Sequence, residues 1–295
     1  MRELEGMHYE GTIIRPPSEA LSILLQVTLG CSHNKCTFCG TYKDKRFTIK
    51  GDQTIMADIR LASKYMDNQH RLFLMDGDGL IIPQRKLVWI LEMIKEHLPW
   101  VRRVGAYANA KSVKMKSDED LVELKEKGLG ILYLGVESGD NQTLRRVCKG
   151  TTAENLVKQG QRIKAAGIKL SVTVLLGIAG RGNSLKHARA TGRLLSAMDP
   201  NYIGALTVMI LPNTPLDHDY RSGRFELPDT RKLLLELREM FKHTHLSGGL
   251  FMSNHASNYL PIKARLPKDR EKTLALIDAA LRGEIDLKPE WMRGL

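Results

Sequence analysis

Cys31, Cys36 and Cys39 fall within the short run Gly30-Cys31-Ser32-His33-Asn34-Lys35-Cys36-Thr37-Phe38-Cys39-Gly40, in a chain of 295 residues with only four cysteines. Thiolates gathered so densely on one loop can hold a metal centre. A closed tetrahedral zinc site would need a fourth ligand. His33 stands too close to Cys31 for the usual ligand spacing, and no second ligand pair supplies another knuckle. An iron–sulfur cluster suits so dense a loop better. Three protein ligands leave one iron open to an external ligand that offers an amine and a carboxylate. Cys148 lies over a hundred residues away, and a buried, inert thiol is its expected state rather than a fourth ligand.

Other residues could do chemistry around such a centre. Asp76-Gly77-Asp78-Gly79 follows a short apolar run and reads as a turn whose glycines leave the backbone open to close approach. Glu137 stands where an apolar strand ends, and a carboxylate is expensive to bury without a reason; an ion pair with Arg145 or Lys149 is the plain alternative. Candidate substrate contacts are Tyr107 and Asn109 after a third strand, and Asn254, His255 and Asn258 in a polar stretch beside Phe251-Met252 that could line a cleft.

These residues need a frame, and the chain is long enough for one large domain or two small ones. Hydrophobic residues make up 42%, sufficient for a substantial core, and charged residues 26%. No apolar stretch approaches the ~20 residues of a membrane span, and Met1-Arg2-Glu3-Leu4-Glu5-Gly6 carries no apolar signal core. A cytoplasmic protein is expected, where thiols stay reduced for metal binding. The net charge of +12 attracts phosphates, but Lys and Arg are scattered without a block of five and few aromatics interleave with them. A solvated basic surface, or an anionic small-molecule substrate, fits this better than nucleic acid.

Strand-like and helix-like segments alternate. Strands are expected at residues 22–28, 72–75, 101–108, 130–136, 168–176 and 202–209. Helices are expected at 53–65, from Pro83, after the cap Ser117, and at 151–166 and 184–198. Strands apolar on both faces, alternating with helices, indicate a parallel sheet, and about six such units make an α/β fold of partial (βα)6 TIM-type barrel. Functional loops then follow strand ends, which is where the cysteine loop stands. The division expected is an N-terminal arm at 1–20, a core at 21–215, and a C-terminal helical extension at 216–295 packed on the barrel as a lid. Helices are expected in that extension at 230–245 and 268–282.

The cysteine loop resembles that of the radical S-adenosylmethionine (SAM) enzymes, in which three cysteines follow the first strand of a βα barrel with an aromatic before the last. Phe38 matches that aromatic; the spacing here is C-x4-C-x2-C where the family usually has C-x3-C-x2-C. Asp76-Gly77-Asp78-Gly79 is similar to the Gly-rich turn that meets the SAM amino group. Gly135-Val136-Glu137-Ser138-Gly139 is similar to a segment of the branch that includes oxygen-independent coproporphyrinogen oxidase and the methylthiotransferases. Leu176-Gly177-Ile178-Ala179-Gly180 resembles the segment whose backbone meets adenine, and Lys164 stands where some relatives keep a basic residue for the SAM carboxylate. The resemblance runs from about Arg15 to Pro215.

The resemblance implies a 4Fe-4S cluster on Cys31, Cys36 and Cys39, with SAM on the remaining iron. It implies reductive cleavage of SAM to methionine and a 5′-deoxyadenosyl radical, hydrogen abstraction from a substrate, and an electron donor such as flavodoxin or ferredoxin. It places Phe38, Asp76, Gly77, Asp78, Glu137, Ser138, Lys164, Gly177 and Ile178 around SAM. Auxiliary clusters, an N-terminal cobalamin domain and a C-terminal RNA-binding barrel are not expected. The rival readings are a zinc- or Fe-S-stabilised RNA-binding module, with salt-dependent affinity, and an electron-transfer protein that does not bind SAM.

Overall fold

Each expected strand and helix of the core appears in the structure, a computed structural model that describes residues 6–294. Met1–Glu5, which include most of the stretch tested for a signal core, lie outside the described residues. The strands are β1 (Ile23–Gln26), β2 (Thr28–Leu29), β3 (Thr48–Ile49), β4 (Arg71–Met75), β5 (Arg103–Ala108), β6 (Leu129–Glu137), β7 (Lys169–Leu176), β8 (Tyr202–Thr207), β9 (Leu250–Met252) and β10 (Lys263–Arg265). The helices are α1 (Asp52–Tyr65), α2 (Gln84–His97), α3 (Ala110–Lys114), α4 (Asp118–Glu126), α5 (Asn141–Arg146), α6 (Ala153–Ala165), α7 (Ser184–Met198), α8 (Pro215–Arg221), α9 (Thr230–Lys242) and α10 (Arg270–Leu281).

The fold is mixed α/β with a mostly parallel eight-stranded sheet in the order β1-β4-β5-β6-β7-β8-β9-β10, the pattern of a partial TIM-type barrel. β10 runs antiparallel to β9, while β2 and β3 form a separate antiparallel ribbon. The chain divides into two compact units. The first holds the described residues up to Asn34, with Tyr42–Leu134 and Arg162–Lys169; the second holds Lys35–Thr41, Gly135–Gln161 and the residues from Leu170 onward.

In the first unit β1, β4 and β5 pair in parallel register, Leu24 with Phe73 and Phe73 with Gly105. These strands are buried on both faces, as their unbroken apolar runs require. Gly105 has a packing reason: a Cβ there would lie 3.0 Å from Ile131 and 3.1 Å from Phe73. α1 and α2 turn Ile55, Ile59, Leu87, Ile90, Leu91 and Ile94 inward at helical spacing. α4 starts where Ser117 accepts from the Asp120 N–H and Asp120 returns the bond, a capping box worth about 1 kcal/mol.

In the second unit β7, β8 and β9 are parallel, so the segment after 215 supplies a strand beside β8. α9 buries Leu233, Leu234, Leu237, Met240 and Phe241, and Phe241 meets Phe251 of β9 edge-on with ring centres 5.1 Å apart. α7 packs on α9 through Gly192, where a Cβ would come within 2.6 Å of the Met240 carbonyl. Among the described residues, no helix is long and apolar enough to cross a membrane.

Candidate functional site

In the first unit the β4 end presses on the start of the cysteine loop. The Gly77 N–H donates to the Gly30 carbonyl at 3.0 Å. A Cβ on Gly77 would stand 2.7 Å from the Cys31 Cβ, 2.8 Å from its Cα and 2.9 Å from the Gly30 oxygen. Only glycine allows this approach of the two chain segments. Asp76, in the left-handed region at φ 72°, points its buried carboxylate at Gln26 Nε2 (3.0 Å) and the Gly30 N–H (3.3 Å). Burial holds its pKa above the usual carboxylate range, against the bonds from Gln26 and Gly30.

Asp78 is buried too, and its Oδ2 accepts from Ser32 Oγ (2.5 Å) and Asn109 Nδ2 (2.6 Å). Burial raises its pKa to about 6 in spite of those bonds. Asn109 also caps α3 with its Oδ1, so one amide fixes both a helix start and the Asp78 carboxylate. Neither Asp76 nor Asp78 caps α2. Tyr107 packs edge-on against Phe73 at 5.0 Å and lies 6.1 Å from Tyr133, and burial drives its phenol pKa far upward. Lys164 stands in the last turn of α6, just before β7 begins, whereas Gly177 follows the end of that strand.

In the second unit the later part of the loop is pinned on both sides of Thr37. Its N–H donates to the Val147 carbonyl, and its carbonyl accepts from the Leu216 N–H, each at 3.0 Å. Phe38 packs against a buried cluster that includes Val147, Ile178, Val208 and Phe225. A cleft of about 160 Å³ opens there between Phe38, Cys39 and Thr41 and the ends of β7 and β8, at Leu175, Thr207 and Val208. Glu137, at φ 64°, pairs with Lys149 at 2.9 Å in a site where both side chains are mostly buried. Gly135 makes room for the pair, since a Cβ there would meet the Glu137 carboxylate at 2.6 Å and the Lys149 ammonium at 2.9 Å. Gly139 lies on α7, where a Cβ would fall 2.4 Å from the Ala190 carbonyl oxygen.

Cys31, Cys36 and Cys39 are half-buried and Cys148 is exposed. Cys148 is thus not the buried thiol expected: it lies just past α5, at φ 54°, and is exposed. Among the described residues, no three His, Cys, Asp or Glu side chains converge on a point that one metal ion could occupy. A four-iron cluster asks for a different spacing, because each thiolate ligates its own iron. The donor set fits such a cluster: soft thiolates in one loop, pinned around Thr37 and abutted at Cys31 by a residue without a side chain.

The polar stretch near Asn258 is occupied with holding itself together. Asn258 is buried, donating to the Ala205 carbonyl and accepting from Thr207 Oγ1, both at 2.8 Å. His255 Nδ1 lies 2.9 Å from Ser257 Oγ, burial lowers its pKa, and Asn254 is exposed. Asn258 therefore ties the loop to β8.

Composition did not single out His187 and Glu236, which are fully buried with Nε2 and Oε1 3.5 Å apart. A signal existed: Glu236 interrupts the apolar face of Leu233, Leu237 and Met240. Burial lowers the His187 pKa to about 4 and raises that of Glu236 to about 7. Between about pH 4 and 6.5 the unfolded state binds more protons at His187, so this residue's contribution to stability is lost as pH falls. Between about pH 4.5 and 7 the folded state binds more at Glu236, so that contribution is lost as pH rises. The slopes oppose each other in the intact protein. Glu236→Gln should expose the first, losing on the order of 2–3 kcal/mol from pH 6.5 to 4, and His187→Gln should expose the second. Urea titrations across pH check this; parallel pH profiles for both variants would count against it.

A loop of three thiols that follows the first strand of a mostly parallel sheet is the pattern of an iron–sulfur enzyme. The chain belongs to the Radical SAM superfamily, which it matches over residues 25–195. It is 23% identical over 285 residues to an uncharacterized protein of Methanocaldococcus jannaschii, covering 92% of this chain and 80% of that one. It is 25% identical over 210 residues to the 4′-phospho-dehydrooxetanocin synthase of Priestia megaterium, covering 63% of this chain but 28% of that protein. Its fold is similar to that of methylornithine synthase (PylB), with a TM-score of 0.53 at 19% identity over 76% of this chain and 63% of that structure. The protein is a SAM-dependent enzyme, with a 4Fe-4S cluster and SAM as its cofactors.

Proposed function

We propose that Cys31, Cys36 and Cys39 hold the 4Fe-4S cluster, that SAM binds its remaining iron, and that the 5′-deoxyadenosyl radical abstracts hydrogen from a small-molecule or anionic substrate. The observation that carries this reading is Gly77 seated on Cys31 without room for a side chain. It explains why the turn that would meet the SAM amino group must adjoin the first cluster ligand. When bound, the cluster supplies the electron that cleaves the SAM sulfonium bond.

The chain's own residues then bind, orient and shield. Backbone carbonyls near Gly77 accept the amino group, and the buried Asp76 and Asp78 set a negative field around it. Glu137, held by Lys149, and Ser138 contact the nucleoside side of SAM. Phe38, Leu175 and Val208 border the cleft beside Cys39, whose apolar wall excludes water from the radical carbon, and the Gly177-Ile178 backbone meets the adenine. Tyr107, His255 and Asn254 remain candidate substrate contacts. A flavodoxin or ferredoxin would deliver the electron, and reduced thiols suit a cytoplasmic setting.

Anaerobic reconstitution with iron and sulfide, then SAM and dithionite, tests this. The expected products are 5′-deoxyadenosine and methionine from a brown protein. Zinc in place of iron, in material never exposed to air, or a reduced cluster that leaves SAM intact, would overturn it.

A further inference from the structure

Behind the Glu137–Gly139 and Gly177–Gly180 turns lie polar groups that SAM would not touch. Nε2 of His187 is 3.2 Å from the Leu175 carbonyl, which can only accept, so Nε2 carries the proton and Nδ1 accepts from Ser138 Oγ at 2.8 Å. Ser138 Oγ in turn accepts from the Asp140 N–H at 2.9 Å. One helical turn along α7, Thr191 Oγ1 accepts from the Gly139 N–H at 2.9 Å. From α9, Glu236 Oε1 accepts from the Gly177 N–H at 2.6 Å and its other oxygen from the Ser184 hydroxyl. A leucine at 236 would complete the apolar face of α9. A carboxyl there, held by an amide N–H and a hydroxyl, calls for a reason beyond packing.

We infer that Glu236, acting through Gly177, and His187, acting through Ser138, are positioning residues that together set where two SAM-facing turns stand. This rests on the reading of those turns as SAM contacts. Gly177 has φ 81°, follows the last residue of β7, and finds the acceptor for its N–H in Glu236. With Glu236 removed, Gly177 is left with a buried donor unpaired, and the turn relaxes toward whatever acceptor it can reach.

The test uses the reconstituted, cluster-loaded full chain, with SAM affinity from equilibrium dialysis and from the change SAM causes in the reduced cluster's EPR spectrum. Glu236→Leu should keep wild-type iron and sulfide content while weakening SAM binding about tenfold. Glu236→Gln retains an acceptor for Gly177 and should stay within about threefold of wild type. A purely structural role would lower the melting temperature of Glu236→Leu and leave the SAM Kd of the folded protein unchanged, and that result overturns the inference. Should Glu236→Leu not fold, Ser184→Ala, which frees one carboxylate oxygen, carries the test. A Kd raised about three- to tenfold supports the inference, and an unchanged Kd overturns it. If the loaded wild-type protein does not bind SAM, the SAM reading itself fails and this inference falls with it.

Discussion

Alanine at Cys31, Cys36 or Cys39 should leave anaerobically purified protein without its cluster, and SAM cleavage should vanish in each variant. Loss of even an outer partner of a metal ligand costs about 10–100-fold in affinity, and these changes remove a ligand outright. Cys148→Ala is the informative control. Its neighbour Val147 accepts the Thr37 N–H, so Cys148 sits one residue from the backbone bond that pins the cysteine loop. A thiol so placed would be the natural fourth ligand if the protein supplied one. Its exposure argues for an open iron corner instead. Iron and sulfide analysis decides: Cys148→Ala should match wild type, while iron loss equal to that of the other three variants would mean four protein ligands and no place for SAM.

The repeating βα units were legible because their periodicity is strong. Buried parallel strands read as unbroken apolar runs, and caps such as Ser117-Asp118-Glu119-Asp120 mark helix starts. Short elements escaped: α3 and α5, of five and six residues, are too brief for a hydrophobic period to show. β9 and β10, three residues each, are strands only because β8 offers β9 an edge. The site was legible as types and spacing but not as partnerships. Glu137 does pair with Lys149, which is compatible with a ligand contact because a buried carboxylate facing a ligand still needs a counter-charge. Asn109 and Ser32 meet Asp78 across long stretches of sequence, and His187 meets Glu236 between two helices, separations that no local pattern encodes.

Gly77→Ala is the change for which geometry forecasts the largest effect without removing a ligand. Gly77 does not use a left-handed backbone, so alanine is conformationally allowed and the obstacle is steric alone. The added methyl would meet Cys31 Cβ and Cα and the Gly30 oxygen, all within 3 Å, and two of these atoms are backbone. No side-chain rotation relieves that, so the β4 turn and the cysteine loop must separate by several tenths of an ångström. Overpacking of this kind costs about 1–3 kcal/mol of stability, which a folded domain can survive. The chemistry is less forgiving, since a misplacement near 1 Å can cost about 100-fold in rate. Gly77→Ala should therefore remain soluble and bind less iron, and its rate of 5′-deoxyadenosine formation should fall by about two orders of magnitude. Gly79→Ala, where the methyl meets Ala106 and Leu74 at an ordinary 3.4 Å, should stay within about threefold of wild type. Wild-type turnover by Gly77→Ala would mean that the turn after β4 does not govern where SAM and the first cysteine stand, and would remove the observation on which the assignment of that turn depends.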